Sequence, residues 1–203
     1  MEDIIQGTDE WRQLRCGVIT ASRVADAMQE KKGTGYANYQ AQLVCERLTD
    51  CVTETYKNAY MERGNEDEPL ARDCYSFVTG NDIEEVSFVK HPVIDCFGAS
   101  PDGLVGQDGL VEIKRKIPAL HIAYIMKGTV PSEYVKQMTA QLACTGRKWV
   151  DFCSYCPELP EEMQLFIVRM HRDEAAISAM EAAVIAFDKS VDDTIAKLKE
   201  LRP

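Results

Sequence analysis

Apolar residues recur at two spacings along this chain, and the switch between them divides it into regions. Near the start, Thr8 precedes two acids, Asp9 and Glu10, and then Trp11, Leu14 and Arg15, which predicts a short helix ended by Gly17. Thr20 or Ser22 caps a second helix through Val24, Ala25 and Met28, and residues 31–35 read as a loop. Tyr36, Tyr39, Leu43, Val44 and Leu48 share a helical face. A further helical stretch runs from about residue 56 to 78. Within it Pro69 suits a first turn, which makes Arg63-Gly64-Asn65 a candidate joint between two helices, and Gly80 reads as a stop.

Beyond Gly80 the segments become short and rich in β-branched and aromatic residues. Residues 83–89, 93–97, 98–105 and 110–115 read as strands, separated by His91-Pro92 and Gly106-Gln107-Asp108-Gly109. Helices return at 119–127 and 131–145, the second with Pro131 at its first position, and 149–155 and 164–171 read as strands. Ile177, Met180, Val184, Phe187, Val191, Ile195 and Leu198 fall three or four apart, which predicts one long amphipathic C-terminal helix. With no repeat, linker or low-complexity tract, residues 1–203 read as one α/β (α+β) domain.

Composition narrows the class. A hydrophobic content of 45% with 28% charged residues is that of a globular protein. The first residues lack the basic and apolar regions of a signal peptide, and no run nears the ~20 apolar residues of a membrane helix, so a cytoplasmic protein without a membrane partner is expected. The eight cysteines are scattered, mostly within apolar segments, as suits reduced, buried thiols. Cys153 and Cys156 have metal-ligand spacing, but no second pair exists and His91, His121 and His171 lie far apart in sequence, so a strand with thiols packed inward is the simpler reading. A net charge of −10 alone argues against nucleic acid. The charge is uneven, however. Lys114, Arg115 and Lys116 face one acid, Glu112, within 111–126, and Arg12, Arg15, Arg23, Lys31 and Lys32 lie earlier, whereas acids crowd 62–68 and the last forty or so residues. A basic groove on an acidic body is compatible with this pattern.

The chemistry concentrates in Ser100-Pro101-Asp102-Gly103 and Glu112-Ile113-Lys114. Strand alternation points Glu112 and Lys114 one way and Val111 and Ile113 the other. A hairpin closed by Asp108-Gly109 brings Asp102 back beside Glu112. Two carboxylates meeting a lysine is costly unless a cation joins them, and oxygen-only ligands suit Mg²⁺, with Mn²⁺ able to substitute, better than zinc. Such a cation would polarise a scissile phosphate and acidify a bound water, while Lys114 positions or activates that water.

Asp102, Glu112 and Lys114 resemble the PD-(D/E)xK nuclease pattern, and more of the chain resembles its lambda exonuclease / YqaJ-type viral recombinase branch. Residues 11–22, WRQLRCGVITAS, resemble that family's W-x-x-L-R-x-G-x-I-T-A-S signature, and 63–69, RGNEDEP, its G-x-x-x-E helix. Residues 134–137, YVKQ, with TGRKW at 145–149 and FCSY at 152–155, resemble its glutamine helix and following strand. The similarity runs roughly from Trp11 to Pro157, and the final helix carries no motif. The resemblance implies a restriction-endonuclease-like domain, a central mixed sheet flanked by helices. It implies Asp102, Glu112, the Ile113 carbonyl and Glu68 as metal ligands, with Glu66 and Glu62 as rivals to Glu68, and Lys114 as the catalytic lysine. Arg15, Ser22, Ser100 and Gln137 occupy the positions that clamp a 5′ phosphate. Gln141, one turn after Gln137, either reaches the site or is a surface amide. Trp11 either stacks on a base or, as the favoured reading, packs with Leu14. Arg147 and Lys148 fit a backbone-phosphate contact or a solvated turn equally well.

The activity so implied is 5′-to-3′ exonuclease digestion of linear double-stranded DNA ends, generating 3′ single-stranded tails for annealing-type recombination. The resemblance also implies a homotrimer and a single-strand annealing protein as partner, in a bacterial or phage-infected cytoplasm. Two rivals remain at this stage. One is a structure-specific or restriction-like endonuclease, the other a non-catalytic DNA-binding or partner-recruiting module on a nuclease fold.

Overall fold

In the computed structural model residues 4–30, 33–53 and 59–201 are described, 59–66 by backbone alone. Lys31, Lys32, the helix start expected near residue 56 and the side chains of Glu62 and Glu66 lie outside the described residues. The helices are α1 (Asp9–Leu14), α2 (Val24–Ala27), α3 (Thr34–Thr49), α4 (Ala59–Thr79), α5 (Pro118–Lys127), α6 (Ser132–Thr145) and α7 (Glu174–Glu200). The strands are β1 (Ile19–Thr20), β2 (Ile83–Glu84), β3 (Val89–Lys90), β4 (Phe97–Ala99), β5 (Gly103–Val105), β6 (Gly109–Arg115), β7 (Trp149–Tyr155) and β8 (Leu165–His171). They form a mixed five-stranded sheet in the order β2-β5-β6-β7-β8, parallel only between β6 and β7, and a small sheet in the order β1-β4-β3.

The single strand expected over 98–105 is in fact two, one in each sheet. Pro101 has no N–H to give to a ladder, so pairing stops there and Ser100, Pro101 and Asp102 carry the chain between the sheets. Residues 93–96 are likewise a turn rather than a strand, with only Phe97 of the expected segment entering β4, because the His91 ring accepts from the Val93 and Ile94 N–H groups at 3.3 and 3.0 Å. The expected joint at Arg63-Gly64-Asn65 is absent: α4 is continuous with Pro69 inside it. Proline there removes one backbone bond, which the packing of Ala71 and Tyr75 against β6 and β7 outweighs. Gly80 ends the helix at φ +68°, as expected. Pro131 is the cap of α6 rather than its first residue, and Thr20 belongs to β1 and caps nothing.

Two cores hold these layers together. The larger gathers Tyr39, Leu43, Leu110, Met138, Leu142, Val150, Phe152, Val184 and Phe187 between α3, α6, α7 and one face of the main sheet. The smaller puts Ala71 and Tyr75 of α4 against Val111, Ile113, Cys153 and Tyr155 on the opposite face. The Tyr75 hydroxyl donates to Asp151 at 2.8 Å, and Arg169 grips the same carboxylate at 2.8 and 2.9 Å, so α4 is pinned behind β7. Thiol burial is narrower than expected: Cys144, Cys153 and Cys156 are buried, Cys16, Cys74 and Cys96 half-buried, and Cys45 and Cys51 exposed.

Arg147 is engaged by the protein itself. Its guanidinium donates to the carbonyls of Gly106 and Gly109 at 2.7 Å, tying the β5–β6 turn to the end of α6. Lys148 pairs with Asp108 at the surface. Arg147→Ala is therefore expected to lower the unfolding free energy by about 1–3 kcal/mol, and Lys148→Ala by no more than about 0.5 kcal/mol. Urea denaturation of both variants checks this, and equal losses would contradict the assignment.

Candidate active site

Register places the two acids together. Gly103 pairs with Val111 and Val105 with Gly109, so one further step sets Asp102 opposite Glu112. Asp102 Oδ2 accepts from the Ile113 N–H at 2.6 Å. The turn is Gly106-Gln107-Asp108 rather than the expected Asp108-Gly109 pair, with Gly106 at φ +52°. Gly109 is already in the ladder, pressed beneath Trp149, where an added Cβ would lie 2.1 Å from the indole.

Glu112 has 0% of its surface exposed. A buried carboxylate must be compensated, and three donors do so. The Lys114 ammonium and the Gln137 amide, at 2.5 Å, serve Oε1, and the Gln141 amide serves Oε2. Gln137 and Gln141 lie one turn apart on α6, so a single helix face delivers both. Gln141 is therefore buried rather than a surface amide. Glu112 fixes its orientation, since a flip would aim one oxygen at another. The remaining Gln141 Oε1 is buried with no donor among the described residues.

Asp102 is half-buried. Burial and the nearby charge of Glu112 push its carboxyl well above the usual carboxylate range, Glu68 adds to the rise, and Lys114 and the Ile113 N–H oppose it. Burial alone would lower the Lys114 ammonium, but Glu112 and Asp102 outweigh it and hold the lysine above its ordinary value. Lys114 thus stays charged. Glu68, on α4, is paired with Arg72, which also grips Glu85 at 2.7 Å.

The residues assigned to a 5′ phosphate divide in two. The Trp11 indole N–H donates to Ser87 O at 2.9 Å and to Ser100 Oγ at 3.0 Å, and Arg15 lies 3.8 Å over the same ring. Trp11 is thus an anchor, and it gathers Arg15 and Ser100. Arg15 Nε is buried with no acceptor among the described residues, and burial lowers its affinity for the proton. Ser22 contacts Thr20 at 3.3 Å and no other member of the set, though its short helical turn packs on both α6 and β4. Gln137 is engaged with Glu112 instead.

The expected basic groove is mostly neutralised: Arg12 pairs with Asp9, Arg23 with Asp26, and Arg115 with Asp67 and Glu158. Sequence reasoning missed two residues. Arg72, four residues after Glu68, was open to the helix-spacing rule. Tyr134, stacked on Phe152 at 5.1 Å and lying under Lys114 and Lys116, carries no sequence mark of its role.

Asp102, Glu112, the Ile113 carbonyl and Glu68 offer oxygen ligands only, which suits a hard divalent cation. Among the described residues no three acidic, histidine or cysteine side chains are yet gathered at ligand distance. Asp102 and Glu112 instead hold donors from the protein and Glu68 pairs with Arg72, while burial and then the charge of Glu112 raise the Asp102 carboxyl. The donor set fits the cation. Acids and a lysine on one hairpin of a mixed sheet, helices on both faces, suit phosphodiester cleavage.

The chain belongs to the YqaJ-like viral recombinase family, whose domain profile matches residues 10–148. The crystal structure of an alkaline exonuclease, LHK-Exo, from Laribacter hongkongensis is 48% identical with a TM-score of 0.89, covering 95% of this chain and 97% of that one. The same enzyme in complex with dAMP matches equally well. A phage related exonuclease from Haemophilus somnus 129PT, 13% identical with a TM-score of 0.70 over 89% of this chain and 96% of that one, shares the fold. No curated protein sequence matches the chain.

The raised Asp102 carboxyl has a consequence for stability. The folded chain holds this proton more tightly than the unfolded one, so stability is lost as pH rises from the ordinary aspartate range through the folded value. In chelator-treated protein the advantage of Asp102→Asn over wild type should grow across that interval and then level off. Urea titrations from acid to neutral pH measure it, and a pH-independent difference would contradict the raised value.

Proposed function

We propose that the chain degrades one strand of linear duplex DNA from its 5′ end, leaving 3′ single-stranded tails for annealing-type recombination. It is an enzyme of the DNA exonuclease class. The observation that carries the chemistry is the meeting of Asp102, Glu112 and Lys114, with Glu112 fully buried. Asp102, Glu112, the Ile113 carbonyl and Glu68 would hold Mg²⁺ or Mn²⁺. When bound, the cation supplies Lewis-acid polarisation of the phosphate and a more acidic water.

Lys114 does the rest as a cation. An ammonium held above its ordinary pKa by two carboxylates is a poor general base, so it orients the attacking water and offsets charge developing on the phosphate oxygens. Gln137 and Gln141 donate to the two Glu112 oxygens and keep them turned to the site. The direction rests on Arg15: a buried guanidinium N–H with no acceptor among the described residues, stacked on Trp11 beside Ser100, is suited to a terminal phosphate; Ser22 would join this clamp, and Gln137 would do so only with the amide hydrogen that Glu112 leaves free. The same reading carries a homotrimer, a single-strand annealing protein as partner, and action in a bacterial or phage-infected cytoplasm. Among the described residues no helix is long and apolar enough to cross a membrane.

Digestion in Mg²⁺ of a 5′-phosphorylated linear duplex beside a covalently closed circle tests this. The linear DNA should be consumed from its 5′ ends and the circle spared. Lys114→Ala should slow digestion by about 100-fold or more, and Arg15→Gln should erase the preference for 5′ phosphate over 5′ hydroxyl. Loss of the circle at the same rate would favour an endonuclease, and an unaffected Lys114→Ala would refute the mechanism.

A further inference from the structure

Strand β6 ends at Arg115, yet the Lys116 N–H still donates to the Tyr155 carbonyl at 2.8 Å. The ladder to β7 therefore runs one residue further, and alternation puts Glu112, Lys114 and Lys116 on one face. Both ammonium groups indeed lie over the Tyr134 ring, Lys114 at 5.8 Å and Lys116 at 4.9 Å. Arg115, on the other face, is occupied by Asp67 and Glu158.

Lys116 differs from its neighbours in having no acid partner among the described ion pairs. Its ammonium donates to the Tyr134 hydroxyl, a neutral acceptor. Glu133, the acid whose charge it feels, accepts from Tyr124 at 2.6 Å. Tyr134 is itself fixed by stacking on the fully buried Phe152. The ammonium is thus held in place with donors to spare and without an ion pair among the described residues. It lines a pocket of about 180 Å³ with Arg115, Ile117 and Leu120.

We propose that Lys116 is a second phosphate-binding cation, holding the DNA phosphate that adjoins the one being cleaved; this rests on the nuclease reading of the Lys114 site. Alternate residues of a strand are about 6.6 Å apart, a spacing similar to that of neighbouring phosphates in an extended nucleic-acid strand. Lys114 serves the reacting phosphate and Lys116 the next, so Lys116 sets the register of the strand in the site.

A lysine that only braced Tyr134 would make the same contacts, so the test reads charge on DNA. Binding of a 5′-phosphorylated duplex in Ca²⁺ is measured by fluorescence anisotropy across salt concentrations. Lys116→Gln should lower the slope of log affinity against log salt by about 0.7–0.9, which is about three-fold less affinity lost between 50 and 200 mM salt. Lys116→Arg should keep the slope, as should Lys189→Gln on distant α7. A neutral methylphosphonate beside the scissile linkage should weaken wild type and leave Lys116→Gln indifferent. An unchanged slope in Lys116→Gln with a wild-type melting temperature overturns the proposal. Should that variant not fold, a methylphosphonate scan that leaves wild-type affinity unchanged at both adjoining linkages overturns it instead. Absence of Mg²⁺-dependent digestion by wild type would sink the nuclease reading and this inference together, whereas digestion with an unchanged slope sinks only the role of Lys116.

Discussion

A carboxylate shut away from water is the constraint around which this molecule is arranged. An isolated buried ion costs several kcal/mol even after relaxation, and Glu112 meets that cost with one ammonium and two side-chain amides. Those donors come from two places in the chain. Lys114 is supplied by strand alternation, so it comes with β6 itself. Gln137 and Gln141 require α6 to cross the front of the sheet with one particular face inward. Met138 and Leu142 on α6 secure that crossing by entering the larger core beside Leu110, Val150 and Phe152.

The opposite side of the hairpin follows similar logic. Val111 and Ile113 need an apolar cover, and α4 provides it through Ala71 and Tyr75. Because Tyr75 is locked to Asp151, α4 is held behind the sheet, and Glu68, two turns earlier on it, comes within electrostatic reach of Asp102. Burying one acid beside another in this way opposes folding, consistent with a rise of the Asp102 carboxyl caused first by burial and then by Glu112. Enzymes tolerate such local cost where a bound cation or substrate relieves it.

Much of this was legible in the sequence, for identifiable reasons. The alternation of Val111, Glu112, Ile113 and Lys114 could be read directly, and the turn glycines fixed a hairpin that returns Asp102 to Glu112. The long helix α7 announced itself by its apolar period. What escaped were features decided by tertiary contact. Pro69 looked like a helix start because local rules price its missing N–H and not the packing of Ala71 and Tyr75 further on. The strand over 98–105 looked continuous, although Pro101 already marked the place where the chain changes sheets. The basic character of 111–126 narrowed to Lys116 once Lys114 met Glu112 and Arg115 met Asp67 and Glu158 from distant segments. The bracing of the turn by Arg147, similarly, could not be read from its place beside Lys148.

A chain with net charge −10 needs its few uncompensated cations where phosphate will pass. Arg15 and Lys116 are such cations, each beside an aromatic ring, flanking a cluster of acids that protein donors hold ready. The central claim is that these acids form a cation seat, and that a bound cation would lower the Asp102 carboxyl which burial and Glu112 raise. Calorimetric titration of Mn²⁺ in two buffers of different ionisation enthalpy tests it most directly. Binding should release protons in wild type, release fewer in Asp102→Asn, and weaken sharply in Glu112→Gln. Binding without proton release, and indifferent to both substitutions, would contradict it.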